Sequence, residues 1–276
     1  MECKKALVET GGDIEAAIEH LRKNGAAKAA KKAGRLAAEG SIIVSDTVDA
    51  VALVEINSET DFVANDQNFT DFGREVASVV ASFAPRDIDE LAALCCKSGE
   101  TVEQKRTALV AKIGENIDIR RFHRLEKEGG LVECYLHGKR IGVVVKIHGG
   151  DNDLAHDLAM HIAATNPICI AEKDVPSDVL EKERDITRAQ AEQTGKPPEI
   201  IEKMVEGKLK KYINEISLVG QSFVKDSEIT IGKLLDSRNA AVSEFVRYEV
   251  GEGIEKKQEN FADEVIAQAN AATSSN

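Results

Sequence analysis

Twice along this chain, two apolar strand-forming runs separated by a short polar turn are followed by one helical stretch. The first unit has Ser41 to Ser45 and Val48 to Ile56 around Asp46-Thr47, then a helix from about Asp66 to Phe83. The second has Gly130 to Leu136 and Arg140 to Ile147 around His137-Gly138-Lys139, then a helix from Asp151 to Thr165. Strands joined by such short turns pair antiparallel, and a small sheet with an apolar face needs an opposing layer to cover it. The repetition therefore predicts two related α+β units, each a small antiparallel sheet with helices on one side. Thr101 to Ile113, rich in Ala, Leu and Val, supplies a further helix to the first unit, and the basic, amphipathic run Ile117 to Leu125 is expected to enter the second as a strand.

At 276 residues the chain has room for one large or two to three small domains. Aromatic residues make up only 4% and Trp is absent, so the cores must be built from Val, Ile, Leu and Ala. A net charge of −12 argues against nucleic acid as the main partner, because neutralising phosphates requires a basic surface. The five cysteines, Cys3, Cys95, Cys96, Cys134 and Cys169, show no C-x-x-C spacing, which favours reduced structural thiols over a disulfide framework or a zinc site. No apolar run has the length of a membrane span and the start lacks a signal-peptide core, so a soluble cytoplasmic protein is expected.

Outside the repeated units, helical patterns dominate. Cys3 to Thr10 reads as a short helix. After Gly11-Gly12, Asp13 is placed to cap a second helix in which Ile14, Ala17, Ile18 and Leu21 form one apolar stripe and which Asn24-Gly25 closes. Two such helices cannot bury a core between them, so a third is expected to be missing. In the Ala/Lys-rich run 26 to 38, Lys28, Lys31, Lys32 and Arg35 fall at i, i+3, i+4 and i+7. This is a solvated helix face or, as the alternative, an RNA or ribosome contact. Ser177 to Gln193 and Glu199 to Glu215 are charged helices around Thr194-Gly195-Lys196-Pro197-Pro198, with sparse apolar positions that suit an antiparallel hairpin projecting from the second unit. A helix near Ile231 to Asp236, a strand Val242 to Val250, a last helix from about Phe261 to Asn270 and a polar tail Ala272 to Asn276 complete the chain.

Catalytic signatures are missing. Gly195-Lys196, Gly207-Lys208 and Gly232-Lys233 lack the remainder of a phosphate-binding loop, and Gly251-Glu252-Gly253 carries carboxylate that would repel phosphate. His156 and His161 sit at i and i+5, roughly 140° apart around a helix, and cannot share a metal. No cofactor and no bond chemistry are indicated. The unusual stretch is Glu55-Ile56-Asn57-Ser58-Glu59-Thr60-Asp61-Phe62-Val63-Ala64-Asn65-Asp66, where a strand breaks into a polar turn that carries one large ring. An aromatic at such a tip either packs back on the adjacent helix or enters a partner.

Glu55 to Asn65 resembles the signature of elongation factor Ts, the nucleotide-exchange factor of the translation GTPase elongation factor Tu. Lys112-Ile113-Gly114-Glu115-Asn116, Tyr135-Leu136-His137-Gly138, Met204-Val205-Glu206-Gly207 and Phe245 to Gly253 also look like elements of that family, and Glu2 to Leu7 with Gly12 to Glu15 resemble helices two and three of its UBA-like opening module. The resemblance implies a guanine-nucleotide exchange factor rather than an enzyme. It would bind no nucleotide itself and would contact elongation factor Tu, with a higher-order assembly of the two within its scope. Thr60, Asp61, Phe62 and Val63 would enter the GTPase, where the Phe62 ring would act as a wedge and the Asp61 carboxylate would compete around its Mg²⁺. Ile113 and Gly114 would face the GTP-binding domain, and His137 another domain. The implied organisation is an incomplete UBA-like head and linker (1–34), a first core subdomain (35–121), a second (122–176 and 222–250), a helical hairpin (177–221) and a C-terminal helical module with tail (251–276). The chain is thus expected to start late, without the head's first helix.

Overall fold

In the computed structural model, which describes residues 2–255, the chain opens with helices α1 (Glu2–Glu9) and α2 (Ile14–Lys32). Strands β1 (Glu39–Asp46) and β2 (Ala50–Ser58) follow, then helices α3 (Asp61–Ala64), α4 (Gln67–Phe83), α5 (Ile88–Ala93) and α6 (Val102–Ile113), and strand β3 (Ile117–Glu126). The second half contains β4 (Leu131–His137), β5 (Ile141–His148), α7 (Asn152–Thr165), α8 (Ser177–Glu192), α9 (Pro198–Ile216), β6 (Ser222–Phe223), β7 (Asp226–Thr230), α10 (Ile231–Ser237) and β8 (Ala241–Glu249). The expected helix from Phe261 to Asn270 and the tail lie outside the described residues.

The described chain is α+β with antiparallel sheets, of which the two larger are ordered β1-β2-β3 and β4-β5-β8. β3 therefore joins the first sheet, contrary to its expected place in the second. Ile117 and Ile119 are buried in the first core, and the strand fills the open edge of β2. The expected boundary at 121/122 accordingly falls inside a strand.

Every residue of β2 is buried, which explains why Ala50 to Val54 reads as continuous apolar sequence rather than as alternation. Ala52, Val54 and Ile56 face a core shared with Phe69, Val76 and Val80 of α4 and Val110 of α6. Val51 and Leu53 face the opposite way, onto Ile42, Val144 and Val250. On β5, Val143, Val145 and Ile147 face Leu158 and Ile162 of α7, while Val144 looks back at the first sheet. The two sheets are thus stacked between helical layers, each serving as the other's second cover.

At one margin of this stack the alternation fails for a reason. Between β2 and β3 the register shifts at Glu55/Ile56, so that Arg121 is opposite Glu55 and Ile119 opposite Ile56. The extra residue, Arg120, brings two consecutive arginines to one carboxylate. The fully buried Glu55 accepts from Arg120 Nη1 at 3.0 Å, Arg121 Nε at 2.6 Å and the Gly251 N–H at 2.8 Å. The Arg121 guanidinium also lies 4.2 Å from the centre of the Tyr248 ring and 3.1 Å from Glu252. A buried charge thereby ties the end of β8 to the first sheet.

Asp13 caps α2 as expected, accepting from Ala16 N at 3.0 Å. The helix does not stop at Asn24-Gly25, however. Gly25 is buried, and a Cβ there would sit 3.4 Å from the Ala111 Cβ, so the missing side chain serves the approach of α2 to α6 rather than a stop. α1 and the first half of α2 are less well covered: Ala6 and Ala17 are buried, but Leu7, Val8, Ile14 and Ile18 are exposed.

Helices α8 and α9 form an antiparallel pair standing on Cys169, Val175 and Ile213. The two chain ends at its base are bonded to each other, Ile168 N to Ile216 O at 2.8 Å and Leu218 N to Cys169 O at 2.9 Å. Leu218 is fully buried in the second core, so the segment after Ile216 belongs to that core and not to the hairpin. His161 of α7 is also fully buried, with Nε2 3.0 Å from Gln221 Oε1 and its ring against Phe223. His156 is exposed and 3.3 Å from Glu133.

Candidate functional site

β2 delivers the chain to its tip through Ser58, whose Oγ donates to Thr60 O at 2.9 Å. Thr60 is extended and its hydroxyl accepts from Val63 N at 3.4 Å, which starts the single turn of α3. One turn divides its residues sharply. Val63 and Ala64 point into the first core, while Asp61 and Phe62 point outward. Asn65 closes the turn by donating to Asp61 O at 2.9 Å, and Asp66 then caps α4 through Asn68 N at 2.8 Å and Phe69 N at 3.4 Å. The hydrogen bonds from Asn68 hold the Asp66 carboxyl below the usual carboxylate range.

Phe62 is 83% exposed, so the local alternative, a ring covering the adjacent helix, does not hold. Val63, expected at the partner surface, is only 8% exposed and anchors α3 instead. The Thr60 hydroxyl is engaged as well. It donates to Glu115 Oε1 at 2.8 Å, and Thr60 N donates to Glu115 Oε2 at 3.1 Å. Of the four residues in this stretch, Asp61 and Phe62 offer free side chains.

Glu115 comes from the end of α6. Gly114 adopts a left-handed conformation (φ 86°) with its N–H bonded to Val110 O at 2.8 Å, turning the chain toward β3. Ile113 is half-buried against the first core and Gly114 is exposed. The contact is reciprocal: Asn116 N donates to Glu59 Oε1 at 2.7 Å, and Arg35 Nη1 lies 3.1 Å from Glu59 Oε2. Asn116 Nδ2 reaches the Arg35 carbonyl at 2.8 Å.

His137 ends β4 and is exposed, 3.3 Å through Nδ1 from the Tyr135 hydroxyl. Its turn touches the tip's closing residue, Lys139 Nζ donating to Asn65 Oδ1 at 2.8 Å, and Ile42 N bonds Lys139 O at 2.8 Å. The three stretches singled out in the sequence are therefore joined through Thr60–Glu115 and Asn65–Lys139. The sequence places Arg35 in the basic stripe and Glu59 in the Glu55 to Asn65 stretch, but gives no sign that the two pair. The run from Lys112 to Asn116 was the only pointer to Glu115, since no periodic pattern links residues so far apart.

The basic stripe does not form as expected. α2 ends at Lys32, and Arg35 turns back to Glu59 instead of continuing the face of Lys28, Lys31 and Lys32. Burial pushes the thiols of Cys96, Cys134 and Cys169 up, away from nucleophilic reactivity. Among the described residues no helix is long and apolar enough to cross a membrane, and no group of three or more His, Cys, Asp or Glu is arranged to hold a metal. What the tip presents is one apolar ring and one carboxylate on a backbone held by hydrogen bonds from both sides.

A sequence model of the family described as Elongation factor TS matches residues 59–252. The chain is 60% identical over 275 residues to the Elongation factor Ts of Thioalkalivibrio sulfidiphilus, covering 99% of this chain and 94% of that protein. It is 55% identical over 274 residues to that of Methylococcus capsulatus, with the same coverage. It is 53% identical over 270 residues to that of Legionella pneumophila (strain Philadelphia 1), covering 97% and 92%.

Proposed function

The chain belongs to the elongation factor Ts family, and we propose that it binds the translation GTPase elongation factor Tu in the cytoplasm and promotes release of its GDP. The observation that carries this reading is Phe62, a large apolar ring left almost wholly in water at the tip of a one-turn helix whose neighbours are fixed. A soluble protein gains nothing in its own stability from such a ring, whereas a partner pocket gains its full burial.

A GTPase holds its nucleotide through backbone amides around the phosphates and through Mg²⁺ bridging them. An exchange factor makes and breaks no covalent bond. It binds more tightly to the GTPase conformation in which those contacts are lost. The Phe62 ring would act as the wedge and the Asp61 carboxylate would compete around the metal, with Ile113, Gly114 and His137 supplying flanking contacts. Coupling of this kind is reciprocal: the factor by which the protein weakens GDP is the factor by which GDP weakens the protein. The parts follow the same reading. Residues 1–34 would be a UBA-like head and linker, the two stacked sheets would define the core subdomains, with the first extended through β3, and α8–α9 would be the inserted hairpin.

The test is release of labelled GDP from elongation factor Tu with and without the protein. A large acceleration at catalytic amounts is expected, and an unchanged rate at saturating protein would exclude the reading.

A further inference from the structure

A helix of one turn has no stability of its own, and a solvent-facing ring has nothing to hold it in place. The core fixes α3 from below through Val63 and Ala64, and Ser58 and Asn65 bond the carbonyls of Thr60 and Asp61 from its own two ends. Those bonds are local, and the contact that ties the tip to a distant segment is made by a carboxylate from elsewhere in the chain. Glu115 spends both of its oxygens on Thr60, one on the N–H and one on the hydroxyl, and so holds the residue that starts the turn. Bonds to an ionised acceptor are among the stronger ones available at a part-buried site.

The opposite strand of the contact mirrors this. Glu59, one residue before Thr60, accepts from the backbone of Asn116, one residue after Glu115. Two carboxylates are thus crossed between two segments, each satisfied by the other segment's main chain. Arg35, on the linker that follows α2, offsets the Glu59 charge, and Asn116 holds the linker in turn. Resting on the exchange reading, we infer that Glu115, with Glu59 and Arg35, is a positioning clamp that fixes the Asp61-Phe62 tip relative to the Ile113-Gly114 turn before the partner arrives. Ordering these segments in advance removes the conformational entropy that binding would otherwise have to oppose. The two patches then meet the GTPase as one rigid surface.

None of the clamp's bonds lies within the apolar cores, so its loss should spare the fold. The experiment compares the parent, Glu115→Ala, Phe62→Ala and the double variant in GDP release from elongation factor Tu, together with amide hydrogen exchange of each free protein. Glu115→Ala should raise exchange of the 59–66 and 113–117 segments by about tenfold, with the sheets unchanged, and should slow stimulated GDP release by about tenfold. In the Phe62→Ala background the same substitution should change release by about threefold or less, because most of what the clamp contributes passes through the ring it positions. Glu115→Gln, which keeps one carbonyl acceptor for Thr60, should recover part of the loss. Unchanged hydrogen exchange at 59–66 in Glu115→Ala, or a full tenfold effect on release in the Phe62→Ala background, would overturn the clamp while leaving the exchange reading standing. A parent protein that fails to accelerate release would instead overturn the exchange reading itself.

Discussion

At the scale of single residues, the molecule places two costly side chains where an apolar or a polar residue would be the ordinary choice. Phe62 stands in water, and His161 is buried in the second core with only Gln221 as a polar partner for its Nε2. Burial lowers the His161 pKa below the ordinary histidine value of about 6.5. The unfolded chain therefore takes up this proton at higher pH than the folded protein does. The associated stability is complete above about pH 6.5 and is lost as pH falls through the lowered folded value. Urea unfolding should show a midpoint that declines on acidification from pH 7 to pH 5, and His161→Gln should flatten that part of the profile. An identical slope in the variant would assign the acid sensitivity to other groups. The setting of Phe62, an aromatic inside a run of turn residues, singles it out but leaves open whether it covers the adjacent helix or faces outward, and the structure decides for the second. The inward direction of Val63 is not legible, because a single helical turn carries too few residues to show a period.

At the scale of elements, punctuation in the sequence proved less reliable than composition. Pro197-Pro198 does begin α9, yet Asn24-Gly25 does not end α2, since Gly25 meets Ala111 of α6. Hydrogen exchange should report this directly. Protection is expected to be low across residues 2–24, where Leu7, Ile14 and Ile18 are uncovered, and to rise from Gly25 onward where α2 packs on α6. Uniform protection along α2 would show that its first half is covered by another surface. β3 was misplaced for a related reason: its apolar alternation, Ile117 and Ile119, is the same for either sheet, and only the free edge of β2 decides. The hairpin makes a separate prediction. Its two ends are already bonded to each other at Ile168–Ile216 and Cys169–Leu218. Replacing residues 177–215 by a short Gly/Ser link should leave one cooperative thermal transition, with Tm lowered by about 5 °C or less. Loss of cooperativity would make the hairpin part of the core. Excision through residue 221 should be far more damaging, because it removes the fully buried Leu218.

At the scale of the whole molecule, the two repeated units are legible from their hairpin-then-helix order, but their stacking is not. The run Val143-Val144-Val145 marks β5 as covered on both faces, but it does not say that Val144 will meet Leu53 of the other sheet. The sequence trace is in two short continuous apolar runs, Ala50 to Val54 in β2 and Val143 to Val145 in β5, which is what burial on both faces demands. Stacking also puts the β4–β5 turn beside the α3 tip, where Lys139 meets Asn65. A rigid body of this kind can turn the burial of one ring into a displacement within a partner. The central claim is that Phe62 does this work, and it is tested by comparing Phe62→Ala with the parent in GDP release from elongation factor Tu while recording Tm for both. Truncating a buried aromatic anchor costs about 2 kcal/mol or more of binding. If that energy is realised in the nucleotide-free complex, stimulated release should slow by about 30-fold. Because the ring is 83% exposed in the free protein, Tm should stay the same. A variant that releases GDP as fast as the parent, or one that loses activity only because its Tm has collapsed, would contradict the account.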